Sequence, residues 1–599
     1  MTAQNTPQYI VGIDLGTTNT VAAYASLETE EPQVELLPLP QMVAPSTVES
    51  RNSLPSFLYL AHAEEVKKGA FDPPWSKNRD FAVGELARRR GAEAPDRTVG
   101  AAKSWLCHGR VDRRKPILPW NAPEEIPQVS PVAASQKYLE HVAAAWKHAF
   151  PKIPLDQQKV VLTVPASFDA AARELTREAA LGAGLPEDLV LLEEPQAAVY
   201  SWVCQTGDAW RKQLKLGDAL LICDVGGGTT DLTLVKVAQE DGELVLQRAA
   251  VGKHLLVGGD NMDLALAHQA AELFRQKKID LDPWQSVSLW HSCRAAKEEL
   301  LAEKGPATHS ISVQGRGRRL IGGTIKIKLE RKQAQEILLE GFFPRCSADQ
   351  RPQQQRASGF VDLGLPYEHD PAITRHLAAF LQDHCDESQT PVKPTHVMFN
   401  GGVFQAPALR QRLMETLADW NDGVAPKALQ EQEDLDHAVA RGAAYYGWAK
   451  HCGGVRIRGG TARSYYIGVE TAGLAIPGMP RPLRAVCVAP LGMEEGQQQD
   501  VPGGEIGLVV GEPMPFRFFS SSTRKQDQAG TVLSSWSDEE LAETDSMEAT
   551  LEADSENQDN YVPVTFQSRV TELGVFELWC VAANRDQQWK LEFSVREED

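Results

Sequence analysis

Two segments far apart in the chain carry the same residue types in the same order. The first is Asp14-Leu15-Gly16-Thr17-Thr18-Asn19-Thr20, the second Asp224-Val225-Gly226-Gly227-Gly228-Thr229-Thr230-Asp231. Glycine lets a backbone turn tightly and approach an anion with no Cβ in the way. The N–H groups that such a turn exposes, and the Thr hydroxyls beside them, donate to phosphate oxygens, while the adjacent Asp can hold a hydrated Mg²⁺. A single glycine-rich hairpin is ordinarily just a turn. Two with one grammar, facing each other, would grip a polyphosphate from both sides, as an ATP clamp between two related lobes does.

The elements that would carry these turns are legible around them. Tyr9-Ile10-Val11 and Ala219-Leu220-Leu221-Ile222 precede them, and Val21 to Tyr24 and Leu232 to Val235 follow, so each reads strand, Asp, glycine turn, Thr, strand. Lys159 to Phe168 reads as a buried strand ending at a proline turn. Asp169 to Ala183 then reads as a helix capped by Asp169 and stopped by Gly184. Leu189 to Leu192 forms another strand and delivers Glu194, before Pro195, to a strand end, where open α/β sheets place functional groups. Read alone, Glu194 serves equally well as a helix-capping charge, and Lys103 as a surface lysine.

At 599 residues the chain exceeds one core, and about two to four domains are expected. With 42% hydrophobic and 24% charged residues the composition is that of a folded protein. A net charge of −20 argues against a nucleic-acid surface, and Arg316-Gly317-Arg318-Arg319 reads as a solvated loop. No apolar run is long enough to span a bilayer, the first residues lack a signal pattern, and the nine cysteines form no CxxC pair. These features favour the cytoplasm, without structural zinc. Cys223 reads as a small hydrophobe in a buried strand. Strands and helices alternate to about residue 452; residues 453–462 read as a glycine-rich, basic linker, and 463–599 as an all-β domain. Arg345 to Gly359 reads as a surface loop, the acidic run from Asp538 to Asp559 as a solvated loop rather than a docking site, and Trp589 to Val595 as a final strand.

Five segments in order, Ile13 to Thr20, Val161 to Phe168, Glu194-Pro195-x-Ala197-Ala198, Asp224 to Asp231, and Phe399-Asn400-Gly401-Gly402 with Asp436 to Ala444, carry a family resemblance. The chain resembles the 70-kDa heat-shock chaperones of the actin-like ATPase superfamily, in a divergent bacterial-type branch. The resemblance implies a two-lobed α/β actin-like ATPase domain of duplicated ribonuclease-H-like lobes, followed by an all-β sandwich. It implies ATP or ADP with Mg²⁺, and K⁺ as a further ion. Asp14 and Asp224 would hold the hydrated Mg²⁺, and Glu194 would touch its water. Gly16, Thr17, Thr18, Asn19, Gly226, Gly227, Gly228 and Thr229 would cradle the phosphates, with Thr229 also in the catalytic set. Lys103 would reach the γ-phosphate and Asp231 would orient the attacking water. Gly258 and Gly259 form the next family turn; Lys297, Gly401, Gly402 and Asp436 would surround the adenosine; Pro165 and Arg173 would relay nucleotide state between domains. The implied function is slow ATP hydrolysis coupled to binding of a client or partner protein through the β domain.

The chain also departs from that pattern. In the expected adenosine helix only Lys297 is kept; Arg294, Glu298 and Leu301 stand for the other contacts, and Val403 and Gln405 follow Gly402. An Arg stacked on adenine would act through a cation–π contact that a carboxylate cannot make. These exchanges imply weaker adenosine contacts and fast nucleotide exchange. The linker is basic where the family's is acidic and leucine-rich, and Val190 replaces an arginine that meets J-domain co-chaperones, so stimulation by a standard J-protein is not expected. Ser464 to Thr471, Val562 to Phe566 and Gly574 to Trp579 resemble strands of the peptide-binding sandwich. Gly511 to Phe519 offers alternating apolar side chains, most of them core, and no helical lid is expected after Val595. A nucleotide-sensing regulator or scaffold with little turnover stands as the alternative. A small-molecule kinase and a filament-forming protein of the same superfamily are further, weaker rivals.

Overall fold

The computed structural model describes residues 6–313 (without 74, 92, 241 and 242), 325–353, 364–384, 390–429, 435–453, 457, 460, 461, 463–470, 483–509 (without 495), 514–538, 540–549, 561–571, 576–583 and 587–593. Two central sheets share one plan. In the first, β1 (Tyr9–Leu15) and β2 (Asn19–Ser26) form an antiparallel hairpin, β3 (Glu35–Leu36) lies outside β2, and β4 (Lys159–Val164) and β5 (Val190–Glu193) add in parallel on the other side of β1. In the second, β6 (Ala219–Val225), β7 (Thr230–Glu240) and β8 (Glu243–Val251) form the antiparallel part, and β9 (His396–Asn400) and β10 (Lys427–Ala428) add in parallel beside β6. The orders, β5-β4-β1-β2-β3 and β10-β9-β6-β7-β8, are therefore the same order repeated. The parallel strands read as almost unbroken apolar runs because both faces are covered.

Six helices position the chemistry. They are α1 (Ala102–Trp105), α2 (Ala170–Gly182), α3 (Glu194–Thr206), α4 (Gly259–Gln276), α5 (Pro283–Leu301) and α6 (Ala438–Cys452). As the sequence implied, the Asp169 side chain caps α2, accepting from the Ala172 N–H at 2.7 Å. Gly184, at φ +82°, ends that segment. One core joins the two sheets: Ile10 and Val161 from the first, Leu220 and Ile222 from the second, and Val439 and Ala443 from α6 pack in a single cluster.

Beyond α6 the described residues are all-β. Ser464–Glu470, Leu483–Ala489, Met514–Ser521, Val532–Leu533, Ala542–Ala549 and Glu592–Phe593 form one sheet. Gln498–Asp500, Ile506–Val509, Tyr561–Val570, Phe576–Ala582 and Gln588–Lys590 form the other. Tyr465, Ile467 and Phe518 of the first share a core with Val564, Phe566 and Leu578 of the second. Phe516, Phe518 and Phe519 are buried, as expected for that stretch.

Two expectations are corrected here. Part of the acidic run is a strand, not a loop: Ala542–Ala549 pairs with Met514–Ser521, and Glu543 takes two bonds of 2.5 Å from Arg517 on that neighbour. Ladder hydrogen bonds and a cross-strand ion pair outweigh the poor strand propensity of the acidic residues. The final strand is broken at Leu591 into Gln588–Lys590 and Glu592–Phe593: the Leu591 N–H still bonds Leu578 on the neighbour of Gln588–Lys590, whereas Glu592–Phe593 crosses to pair with Ala542–Ala549 in the first sheet. The basic loop at Arg316, most of the basic linker, residues 354–359 of the surface loop, residues 550–560, Gly511 to Pro513, Gly574, Val575 and Val595 lie outside the described residues. Among the described residues, no helix is long and apolar enough to cross a membrane.

Candidate functional site

The two glycine turns close in the same way: Gly16 N–H donates to Asn19 O at 3.0 Å and Gly226 N–H to Thr229 O at 2.9 Å. They face each other across a cleft of about 1050 Å³ between the two sheets, roomy by the scale of small-molecule sites. Their approach leaves no room for a side chain unless Thr18 and Ser104 turn away. A Cβ at Gly227 would sit 2.0 Å from Thr18 Oγ1, and one at Gly228 would sit 2.3 Å from Ser104 Oγ.

Asp14, Gly16, Thr17, Thr18, Asn19, Lys103, Glu194, Asp224, Gly226, Gly227, Thr229, Gly259, Lys297, Gly401, Gly402 and Asp436 line this cleft. Gly228, Gly258 and Asp231 do not, although Gly228 meets Thr17 and Asp231 pairs in register with Asp224. Pro165 and Arg173 lie apart from the lining, where Arg173 bonds Glu193 at 2.9 Å.

Lys103 is buried in the floor and bonded to Glu194 Oε1. It sits on α1, whose preceding residue Ala101 adopts φ +55°, a left-handed conformation unusual without glycine. Glu194 opens α3, where the helix N-terminus favours its charge. The two first-strand aspartates are held by matching partners. Asp14 stands in register with Thr163 and accepts its hydroxyl at 3.1 Å; Asp224 stands in register with Asn400 and accepts its amide at 2.6 Å. Thr163 and Asn400 fall inside the family motifs, yet the motifs alone give them no role. The signal was present: each is a polar residue near the C-terminal end of a parallel strand, directly after an apolar run.

The floor carries more negative charge than it neutralises. Burial and the Glu194 carboxylate push Asp14 up to about 7. Burial, with Glu194 and Asp231 nearby, raises Asp224 well above the usual range, and burial raises Glu194 and Asp231. Burial works against the Lys103 charge, but Glu194, Asp14 and Asp224 hold its pKa above the ordinary value. One ammonium among these carboxylates leaves a demand for a cation.

A stability effect follows for the protein free of metal and nucleotide. Asp14 holds its proton more tightly folded than unfolded, so its contribution falls as pH rises from about 4 to about 7. Asp14→Asn keeps the oxygen that Thr163 bonds and removes that loss. The variant is expected to match the parent below pH 4 and to exceed it by about 1–3 kcal/mol at pH 8, read from urea unfolding at both pH values.

The adenosine side differs from the expectation for Arg294. This residue does not stand free for an adenine: it bonds Asp260 Oδ1 at 2.5 Å and Asp263 Oδ2 at 3.0 Å, with its guanidinium carbon 5.2 Å from the centre of the Phe57 ring. A buried guanidinium is best satisfied by paired carboxylates, and α4 supplies two. Lys297 is held likewise, at 2.7 Å from Asp263 Oδ1 and from Gly259 O. Gln405 donates to Asp436 Oδ2 at 2.5 Å.

Comparison with known proteins agrees with this architecture. The chaperone protein HscA of Enterobacter sp. is 29% identical over 274 residues, 44% of this chain and 37% of that protein. The chaperone protein DnaK of Thermotoga maritima is 29% identical over 278 residues, 46% of this chain and 38% of its own length. An HscA homologue from Pseudomonas aeruginosa is 31% identical over 305 residues, 49% of this chain and 42% of its length. The chain thus spans less than half the length of the curated relatives it matches. The model of the Hsp70 protein family matches residues 10–350, more than half of the 599-residue chain, which therefore belongs to the Hsp70 family.

Proposed function

We propose that this protein is an Mg²⁺-dependent ATPase of slow turnover, and a cytoplasmic chaperone that couples its nucleotide state to a client or partner protein through its β region. The observation that carries this reading is the pair of alike-closed glycine turns facing across one cleft, with Lys103 and Glu194 on the floor between them.

The turn N–H groups of both lobes and the hydroxyls of Thr17, Thr18 and Thr229 would hold the β- and γ-phosphates. Asp14, Glu194 and Asp224 suit a hydrated Mg²⁺ bound through its waters, an ion that dehydrates reluctantly. The ion would neutralise charge on the phosphate oxygens; K⁺ would serve the same floor. Lys103, kept charged by the surrounding carboxylates, meets the γ-phosphate oxygens on which charge grows during in-line attack. Asp231 orients the attacking water. Positioning and charge neutralisation are what phosphoryl transfer needs from a protein. On the adenosine side, Gly401, Gly402 and Asp436 contribute surface, while Lys297 and Arg294 are already engaged. That leaves base recognition weak and exchange fast.

Coupling to the β region has a physical route. Glu193, next to Glu194, bonds both Arg173 and Arg248, and Arg248 also bonds the carbonyl of Gly460 ahead of the first β-region strand. Burial opposes the Glu193 charge, but Arg248 and Arg173 hold its pKa below the usual carboxylate value. Arg248 is the direct link from Glu193 to the chain leading into the β region; Arg173 would relay through its shared bond to Glu193, and Pro165 through the turn beside it.

The test is single-turnover hydrolysis of Mg²⁺–ATP by the purified protein, with equilibrium binding of ATP and ADP measured alongside. Slow hydrolysis with rapid ADP release supports the reading. Tight ATP binding with no hydrolysis overturns the ATPase assignment.

A further inference from the structure

Behind the cleft floor, three residues from three separate segments meet. Asp231, the second residue of β7, is buried at 2% exposure, and its Oδ1 accepts from the Ser167 backbone N–H at 3.3 Å. Ser167, also 2% exposed, lies in the turn after β4, and its Oγ is 2.6 Å from Nδ1 of His254 in the loop after β8. The His254 ring packs edge-to-face with Phe168, their centroids 5.9 Å apart. Its Nε2 is buried and meets no hydrogen-bond partner among the described residues.

That geometry fixes the direction of the hydrogen bonds. Burial lowers the His254 pKa to about 4, so the ring is neutral and carries one N–H. A buried N–H without a partner is rarer and costlier than a bare lone pair. The proton therefore belongs on Nδ1, which donates to Ser167 Oγ, and Nε2 keeps its lone pair. Ser167 Oγ, already accepting, is free to donate its own hydrogen, and the Asp231 carboxylate is the acceptor that its side chain bonds. Asp231 then takes two donors from one residue, the backbone N–H and the hydroxyl, which fix the orientation of its carboxylate.

We propose that His254 and Ser167 are a positioning pair for Asp231, in which the His254 Nδ1–H fixes the Ser167 hydroxyl as a donor to the carboxylate that orients the attacking water. The inference rests on the hydrolysis reading for its catalytic consequence, though not for the hydrogen-bond chain itself. Ser167→Ala keeps the backbone donor and removes only the hydroxyl. His254→Leu removes the Nδ1–H, and His254→Asn restores an N–H at about the same place.

In the full chain, Ser167→Ala and His254→Leu are expected to lower the single-turnover rate about tenfold and to leave the ATP dissociation constant within about twofold, whereas His254→Asn recovers most of the rate. In protein with ¹⁵N-labelled histidine, the His254 resonances, assigned by their loss in His254→Asn, are expected to show the Nδ1–H tautomer and to shift in Asp231→Asn. Unchanged rates in both loss variants, or an Nε2–H tautomer, would overturn the pair. If the parent protein hydrolyses no ATP, the hydrolysis reading fails on its own and the resonances decide: a shift in Asp231→Asn upholds the hydrogen-bond chain, and its absence refutes it.

Discussion

Lys103→Ala is expected to slow single-turnover hydrolysis of Mg²⁺–ATP by about 10²–10³-fold while ATP still binds. The side chain is buried and bonded to Glu194, with the charges of Asp14 and Asp224 close enough to raise its pKa. Its ammonium is thus fixed and charged before any reaction begins, and on the proposed function it would neutralise negative charge as it builds on the phosphate. Such a group contributes mainly to the transition state. The turns at Gly16 and Gly226 make their own hydrogen bonds without Lys103, so bound phosphates would keep most of their donors. Rapid-quench hydrolysis and equilibrium binding, run on parent and variant, separate the two effects. Equal rates would reduce Lys103 to a counter-charge for Glu194.

Gly442→Ala is expected to destabilise the protein by about 3 kcal/mol or more, although it adds only one methyl group. Elsewhere in a helix interior, Gly to Ala stabilises by about 0.5–1 kcal/mol. At Gly442 the sign reverses, because the new Cβ would lie 1.7 Å from Ala197 O and 2.9 Å from Ser201 N, both backbone atoms of α3. No side chain can rotate away, so the helices must separate. Gly341→Ala is the control: nothing lies within 4 Å of its Cβ position, and a gain of about 0.5 kcal/mol is expected. Urea unfolding of both variants checks the contrast, and a neutral Gly442→Ala would mean that α3 and α6 slide apart freely.

The parts legible in the sequence were those specified locally. The turns after β1 and β6 declare themselves by glycine and threonine, α2 by its Asp169 cap, and β4 by an apolar run that ends in a proline. What could not be read was set by distance in the chain. Lys103 meets Glu194 from 91 residues away and reads alone as an exposed lysine. Arg294 finds Asp260 and Asp263 only because α5 packs on α4. The strand Ala542–Ala549 has acidic residues of low strand propensity, and pairing with Met514–Ser521 decides its conformation. The family motifs named the cleft residues, but not the His254–Ser167 contact, which joins two loops 87 residues apart.

The seating of α6 on the first sheet bears on how the chain is made. A Cβ at Gly12, in the middle of β1, would lie 2.3 Å from Ala444 N, so the face of β1 is closed by backbone more than 400 residues later. Strands β1, β2 and β4 can pair soon after Val164 leaves the ribosome, and α3 joins their cluster, yet Ile10 and Val161 lack the cover of α6 until it emerges. At ordinary rates of synthesis that interval is on the order of 10–60 s. Throughout it part of an apolar sheet face waits for its cover, so a member of a chaperone family would itself, during its own birth, gain from protection.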